Sequence, residues 1–298
     1  MIKAYHNIRP VYQKETLSSS RTSRLTVIVL VFNLILALVG LLQLQIMVRS
    51  SSYYGEVPYS SLLQMYTLVA TFEAAFLLFI VPGLTAGSIS GERERQTLDL
   101  LLCTRLRPID IIIGKLLSCL STVFVLIFSS LPVLALVYIY GGIGLKDLGL
   151  LFFCLAVTAL FAGSVSIFFS SWMKKTTMAT VLSYVAVIFM VAGTYLILDM
   201  IFKIINLLSV NYSYQENPMQ IWNYLLLMNP AVTFYSLFRQ QIGGSDSMLL
   251  QGWYNTYIIS DHILSLGWVM ASCAVQLVLS ALFIWLAARG ICPLRKKS

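Results

Sequence analysis

Side chains that could carry out chemistry are few in this 298-residue sequence. Its two histidines, His6 and His262, belong to no His-Glu-x-x-His zinc motif, and the chain has no Gly-x-Ser-x-Gly nucleophile motif. The five cysteines lack the spacing of metal ligands, and we interpret them as reduced packing residues. The sequence therefore predicts no catalytic residue and no metal site, and an enzyme is a poor interpretation.

One Gly-Lys pair, Gly114-Lys115, has to be tested as part of a nucleotide-binding loop. Such a loop reads Gly-x-x-x-x-Gly-Lys followed by Ser or Thr, because backbone amides surround the phosphates and the hydroxyl holds Mg²⁺. Here Ile109 occupies the first glycine position and Leu116 occupies the hydroxyl position. We therefore expect the chain to bind no ATP by this device.

Glu73 is a carboxylate near the middle of a long apolar run. In lipid a carboxylate costs several kcal/mol unless it is paired, hydrated or protonated. One interpretation is a pathway-lining group that meets a substrate or a coupled cation. The other is a protonated or hydrogen-bonded glutamate in helix packing, and the sequence leaves both open.

A charged cluster interrupts the apolar runs. Charged residues make up 11% of the chain, yet seven of them fall within residues 92–107. Ser90 is a candidate N-cap of a short helix there, and Leu98, Leu101 and Leu102 would share one apolar face at i, i+3 and i+4. Pro108 would end this segment and open the next helix. Physical chemistry alone leaves two alternatives, a helix on the membrane surface or a helix that docks in a groove of a partner.

The elements that must position these residues are membrane spans. The hydrophobic share is 58% and the mean hydropathy is +0.84, values that exclude an ordinary soluble domain. A span needs roughly 20 apolar residues. Six runs qualify and predict an all-α membrane protein with six transmembrane helices, at about 25–48, 61–89, 109–140, 148–172, 177–202 and 263–288.

The distribution of Lys and Arg predicts the orientation. If the N-terminus is cytosolic, sixteen of the twenty basic residues fall in cytosolic segments, as the positive-inside rule requires. We therefore expect a multi-pass cell-membrane protein with both termini cytosolic and residues 1–24 as an interfacial segment. The net charge of +8 then suits contact with membrane lipid. No nucleic-acid-binding motif is present, so nucleic acid is not an expected partner.

Two further patterns concern packing and the external side. Gly83, Gly87 and Gly91 form a small-xxx-small pattern, which allows close helix packing within the chain or a contact with a second subunit. The longest stretch between spans, residues 203–262, would be external. Within it, residues 219–228 and 231–238 predict two short helices around an Asn-Pro break, either an outer gate or a cap on the last span.

The run SGERERQTLDLLLCTRLRPIDIIIGKLLS, residues 90–118, resembles the signature region of ABC-2-type permeases, the membrane subunits of ABC exporters. The matching parts are Gly-Glu-Arg-Glu, Thr-Leu-x-x-Leu-Leu, Pro and Gly-Lys, at residues 91–94, 97–102, 108 and 114–115. LMNPAVTF, residues 227–234, is similar to an Asn-Pro segment often found in that family. Gln96 departs from the pattern, since Gly is common there, and a helix would tolerate this change.

The resemblance implies a function for the charged cluster. Residues 25–298 would form a six-span permease domain, and residues 90–108 would be the cytosolic coupling segment between spans two and three. The partners implied are an ABC ATPase, which binds the ATP and Mg²⁺, and a second permease subunit, identical or related. An ion-coupled secondary transporter or channel that uses Glu73 is the alternative. The expected ATPase-coupling residues are Glu92, Arg93, Glu94, Arg95, Thr97, Leu98, Leu101 and Leu102.

Overall fold

The computed structural model describes residue 12 and residues 23–54, 59–98, 103, 107–139, 143–208, 224–242 and 265–291. Regular structure in these residues is helical throughout, which confirms the all-α prediction. The α-helices are α1 (Ser23–Tyr54), α2 (Tyr59–Thr85), α3 (Gly87–Glu94), α4 (Pro108–Ile139), α5 (Leu145–Trp172), α6 (Thr176–Ile188), α7 (Thr194–Leu208), α8 (Pro230–Gln241) and α9 (Leu266–Ile291). A π-helix (Phe189–Gly193) joins α6 to α7, and a 3-10 helix (Tyr224–Met228) precedes α8.

Within the described residues, six helices are long and apolar enough to cross a membrane, as the hydropathy pattern predicts. Their limits are Leu25–Arg49, Ser61–Glu94, Pro108–Ile139, Leu145–Trp172, Thr176–Ile201 and Leu266–Ile291. The fourth begins three residues before its expected start, and the sixth is displaced by three residues along the chain. The second differs most, because its helix continues past the apolar run as far as Glu94.

Helix α5 is the centre of the bundle. Of its most apolar stretch, 72% is buried, whereas only 17% of the corresponding stretch of α1 is buried. Its neighbours are α9, α2, α6 and α4. The buried side of α5 carries small residues, including Ala162, Gly163, Ser164 and Ser166. Small side chains let helix backbones approach closely, which is how transmembrane helices pack without a hydrophobic driving force between them.

Helices α2 and α3 follow each other with a single residue between them. Ala86 joins them, and its backbone N–H donates to the carbonyl of Pro82 at 2.9 Å. The expectation that a new helix begins at Ser90 is wrong, because Ser90 lies in the middle of α3 and is fully buried. Its hydroxyl donates back to the carbonyl of Ala86 at 3.0 Å instead of capping a helix start.

The two short helices predicted around the Asn-Pro break are present as the 3-10 helix and α8. Residues 232–238 of α8 are all buried, and α8 packs against α9, α5 and α2. It therefore lies within the bundle and not on a membrane surface. Residues 209–223 and 243–264, in the segment that we expect to be external, and residues 1–11 and 13–22 of the N-terminal segment lie outside the described residues.

Candidate functional site

The charged end of the bundle is the end formed by α3, residues 95–98, the start of α4 and the turn Met173–Lys175 between α5 and α6. Helix α3 ends there in a Schellman motif. The N–H of Thr97 donates to the carbonyl of Glu92 at 2.9 Å, and the N–H of Gln96 donates to that of Arg93 at 3.1 Å. Gln96 has a φ of 57°, which is left-handed backbone.

This geometry corrects the interpretation of position 96. We expected Gln96 inside a helix, where a glutamine is tolerated. It is instead the left-handed residue just beyond the end of α3. Glycine is favoured at such a position because it has no Cβ to clash with the following carbonyl. The departure from the family pattern at Gln96 therefore introduces local strain.

An ion pair joins α3 to α4. The Nζ of Lys115 lies 2.8 Å from Oε1 of Glu92 and donates to the backbone carbonyl of Ser88 at 2.7 Å. The Lys115 side chain is only 4% exposed and that of Glu92 is 19% exposed. Lys115 was not among the expected coupling residues. One indication of this contact was present in the sequence, because Glu92 and Lys115 both belong to the run that resembles the family signature.

Helix α3 is also held to the turn Met173–Lys175. The guanidinium of Arg93 donates to the carbonyl of Met173 at 3.2 Å. The hydroxyl of Thr176 donates to Oε2 of Glu94 at 2.8 Å. Met173, the first residue of the turn, and Thr176, the first residue after it, are therefore bonded to adjacent residues of α3, and the turn lies directly beside the end of that helix.

A third connection runs to the end of α5. The hydroxyl oxygen of Ser170 accepts from the backbone N–H groups of Ile89 and Ser90, each at 3.0 Å. The same hydroxyl donates to that of Ser90 at 3.3 Å. All three residues are buried. Together with the bonds of Glu92, Arg93 and Glu94, this contact fastens α3 to α4, α5 and α6.

The expected coupling residues divide into four groups. Glu92 and Arg93 are half-buried and bond to Lys115 and to the carbonyl of Met173. Arg95, Thr97 and Glu94 are exposed at the tip of α3. Leu98 is only 6% exposed and packs into the core of its own chain, so its side chain faces inward and not toward a partner. Leu101 and Leu102 lie outside the described residues.

The three glycines lie along α2 and α3. A Cβ on Gly83 would lie 2.9 Å from the hydroxyl of Tyr184, and a Cβ on Gly91 would lie 3.5 Å from a methyl group of Thr176. Both glycines therefore face α6 of the same chain. A Cβ on Gly87 would have no neighbour within 4 Å. A contact with a second subunit stays a prediction.

Glu73 is fully buried between α2 and α4. Its Oε1 accepts from the hydroxyl of Ser130 at 2.6 Å, while among the described residues Oε2 has no hydrogen-bond partner. The Ser130 hydroxyl also lies 2.7 Å from the carbonyl of Ile127. Because the hydroxyl has only one hydrogen, it cannot donate to both oxygens at once. A neutral carboxyl that donates from Oε1 to Ser130 would leave the serine hydrogen for Ile127, and Oε2 alone would then lack a partner among the described residues. A role for Glu73 in a transport pathway stays a prediction.

Possible metal ligands are sparse. The thiols of Cys154 and Cys273 face each other at 3.8 Å between α5 and α9, but two ligands are too few for a structural zinc site, which takes four. Among the residues that the structure describes, no group of three or more His, Cys, Asp or Glu side chains is placed to hold a metal ion.

A second polar cluster surrounds Asn229 at the opposite end of the bundle. Its side-chain oxygen accepts from the N–H of Ala231 at 2.9 Å and so caps α8. Its amide donates to the carbonyl of Val191 in the π-helix and to the hydroxyl of Thr194, both at 2.8 Å. The Asn-Pro segment therefore fastens α8 to the fifth span. The sequence indicated the break at this position but not its partner.

One comparison with known proteins identifies a relationship. A family model described as ABC-2 family transporter protein matches residues 9–286. The match covers the first five membrane helices, the charged end and most of the sixth membrane helix. No curated protein matches the chain.

Proposed function

The chain belongs to the ABC-2 family of transporter proteins, and from that premise we propose that it is the permease subunit of an exporter powered by a separate ATPase chain. The lack of a phosphate-cradling loop in the sequence supports this division of labour, because the energy of ATP then has to enter through a protein contact. The observation that carries the proposal is the charged end, where one short helix is bonded to three membrane helices.

The bonds that join α3 to its neighbouring helices would transmit a movement of α3 to the membrane helices. The Glu92–Lys115 pair is mostly shielded from water, so its attraction is stronger than that of an exposed pair. Arg93 and Glu94 add bonds to the turn Met173–Lys175 and to α6. A displacement of residues 92–98 by an ATPase that closes on ATP would therefore shift the ends of α2, α4, α5 and α6 together.

In this proposal the charged end and both termini lie in the cytosol, and the 3-10 helix that precedes α8 lies toward the external side. The bias of Lys and Arg supports this orientation. A second permease subunit would complete the route for the cargo, since six spans enclose little space. The apolar surface of α1, which is largely unburied within the chain, is available for lipid or for such a subunit.

Cysteine labelling tests the orientation. Cys103 is exposed on the segment that follows the tip of α3, and Lys146 is exposed at the opposite end, in the first turn of α5. Single-cysteine variants would carry either Cys103 or Lys146→Cys. A membrane-impermeant maleimide added to intact cells should label the Lys146→Cys variant, and it should label Cys103 only after permeabilisation. The reverse pattern would overturn the orientation and the coupling role with it.

Photo-crosslinking tests the partner. A photoreactive amino acid at Thr97, which is exposed at the tip of α3, should capture an ATPase with a phosphate-cradling loop, and the same probe at Lys146 should not. The captured ATPase, reconstituted with the chain in vesicles, should hydrolyse ATP faster than it does alone. Arg95→Glu should reduce this stimulation by about tenfold, because reversing a charge that is exposed at the tip of α3 alters the electrostatic fit to the ATPase. Uphill solute transport by the chain alone would contradict the proposal.

A further inference from the structure

A row of exposed side chains runs along one face of α9. Val278, Leu282, Trp285 and Arg289 follow each other at spacings of four, three and four residues, which places them on the same side of a helix. All four side chains are exposed, and we call these residues the α9 stripe. The stripe is apolar along most of its length, becomes aromatic at Trp285 and ends in a positive charge.

Helix α9 packs against α5 with a different side. The ring centroid of Phe283 lies 5.6 Å from that of Phe168 in α5, and a Cβ on Gly290 would lie 2.8 Å from Cδ1 of Trp172 at the end of α5. Phe283 and Gly290 are about a third of a turn around the helix from the stripe, and the buried Ala287 is about half a turn from it. The α9 stripe therefore points away from the bundle.

The guanidinium of Arg289 is held in place by an aromatic ring. Its Cζ lies 3.6 Å from the centroid of Trp285, a cation–π contact that keeps the side chain on the stripe. Among the described residues no carboxylate pairs with Arg289, and the next charged residues in the sequence, Arg295, Lys296 and Lys297, are basic as well. The N–H groups of this guanidinium are therefore available to an anion from outside the described part of the chain.

The charged end of the stripe lies at the level where two membrane helices end. Arg289 is in the last turn of α9, and Trp172 is the last residue of α5. Trp172 and Trp285 are both exposed, and exposed tryptophans are enriched at the level of the lipid headgroups. Leu282 is seven residues before Arg289, about 10 Å deeper at 1.5 Å per residue. Arg289 thus suits a headgroup, and Leu282 and Val278 suit an acyl chain.

We propose that the α9 stripe binds an anionic phospholipid, with the phosphate at Arg289 and an acyl chain along Leu282 and Val278. A guanidinium can donate two parallel hydrogen bonds to phosphate oxygens, and Trp285 orients it for that contact. This inference goes beyond the proposed function, because it needs no ATPase. A free phosphate would leave the apolar length of the stripe without a partner.

A second copy of the chain is a poorer occupant of the α9 stripe. A two-fold contact uses the same surface on both subunits. If its axis were perpendicular to the membrane, such a contact along α9 would bring Arg289 to the same level as Arg289 of the other copy. Like charges that face each other across an interface are unfavourable. The charge at the end of the stripe therefore favours a lipid phosphate.

Lipid photo-crosslinking at one position tests the inference. The purified chain is placed in nanodiscs that contain phosphatidylglycerol and phosphatidylcholine in equal amounts, with identical acyl chains. An apolar photoreactive amino acid replaces Leu282, and mass spectrometry measures the ratio of the two lipid adducts. The same probe at Val185, which is exposed on α6, samples another lipid-facing surface. The variants are Arg289→Gln, which removes the charge, and Arg289→Lys, which keeps it.

The adducts at position 282 should favour phosphatidylglycerol by about fivefold, the effect expected of one basic residue near an anionic headgroup. Arg289→Gln should bring the ratio at position 282 close to that of the lipid mixture, and Arg289→Lys should keep part of the preference. Neither variant should change the ratio at Val185. The melting temperature of Arg289→Gln should stay near wild type, because Arg289 is exposed.

Three results would overturn the inference. The first is an equal preference for phosphatidylglycerol at position 282 in the wild type and in Arg289→Gln. The second is a crosslink from position 282 to another copy of the chain in place of lipid adducts. The third is loss of the preference when free glycerol 1-phosphate is added, since the stripe would then bind a soluble phosphate. All three leave the ATPase-driven permease function intact, because none of them involves the ATPase.

Discussion

Glu92 and Lys115 form a 2.8 Å ion pair that joins the end of α3 to α4. Lys115 is the more deeply buried partner, and it also donates to the carbonyl of Ser88. The pair connects two parts of the run that resembles the family signature. The Gly-Glu-Arg-Glu and Gly-Lys parts of that run therefore act on each other in the folded chain.

Loss of Lys115 should destabilise the protein strongly. Lys115→Ala leaves the carboxylate of Glu92 without its partner in a mostly shielded site, and breaking a buried pair in this way costs about 3–5 kcal/mol. The expected result is a clear fall in the melting temperature in detergent. The double variant Glu92→Gln with Lys115→Met should regain part of the loss, because neither charge remains.

The chain contains a matched control for that prediction. Lys203 pairs with Asp199 at 2.7 Å, but its side chain is 71% exposed. The hydrogen bond with Asp199 raises the pKa of Lys203, so Lys203 stays charged at neutral pH. Lys203→Ala should leave the melting temperature nearly unchanged, since water screens an exposed pair. Equal losses for the two alanine variants would contradict the importance assigned to the burial of Lys115.

Gln96→Gly should stabilise the charged end. The left-handed backbone at Gln96 costs a residue with a Cβ about 1 kcal/mol or more, and glycine removes that cost. The melting temperature should rise by a few degrees, and ATPase binding should be retained. Arg95→Gly is the matched control, because Arg95 has a φ of −81° and glycine there only adds freedom to the unfolded chain. A fall in melting temperature for Gln96→Gly would contradict the backbone strain that we assign to Gln96.

Glu73→Gln separates the two interpretations of Glu73. The side-chain amide of Gln can donate to the hydroxyl of Ser130, as a neutral carboxyl would, and it carries no charge, so this variant should keep its melting temperature and its ATP-driven transport. Glu73→Lys should prevent stable folding, because it introduces a positive charge at a fully buried position. If Glu73→Gln abolished transport while the melting temperature stayed constant, an ion-coupled role would be favoured instead.

Asn229 should tolerate neither Ala nor Asp. Asn229→Ala removes the cap of α8, worth about 1 kcal/mol, and also both bonds to the fifth span. Asn229→Asp keeps an oxygen for the cap but loses the two donors and introduces a buried charge. Both variants should lower the melting temperature in detergent. A wild-type melting temperature for Asn229→Asp would show that the contacts with Val191 and Thr194 contribute little.

The sequence predicted the membrane helices because lipid imposes one simple requirement, a long apolar run that satisfies its own backbone. The pattern around Ser90 was less informative. A serine before acidic residues is typical of a helix start, but the same hydroxyl can bond to the preceding turn of a helix already under way. Because α3 continues from the second span, Ser90 takes the second role.

The contacts within the candidate site could not be predicted from local patterns. The pair of Glu92 and Lys115 spans two helices, and neighbour rules within one helix do not apply to it. The break at Asn229 was predictable from the Pro that follows it. Its bond to Val191 was not, since the carbonyl of Val191 belongs to a π-helix that no pattern in the sequence predicted.

The π-helix Phe189–Gly193 rotates the second half of the fifth span about the helix axis relative to the first half. The N–H of Thr194 reaches back five residues to the carbonyl of Phe189, and one extra residue in a turn rotates everything downstream by about 100°. Helix α6 therefore packs toward α2 and α5, while α7 presents its side toward the 3-10 helix. The fifth span thus contacts different neighbours before and after the π-helix. Deleting a single residue from the π-helix would turn the side chains of Thr194 and Leu198 away from their present neighbours.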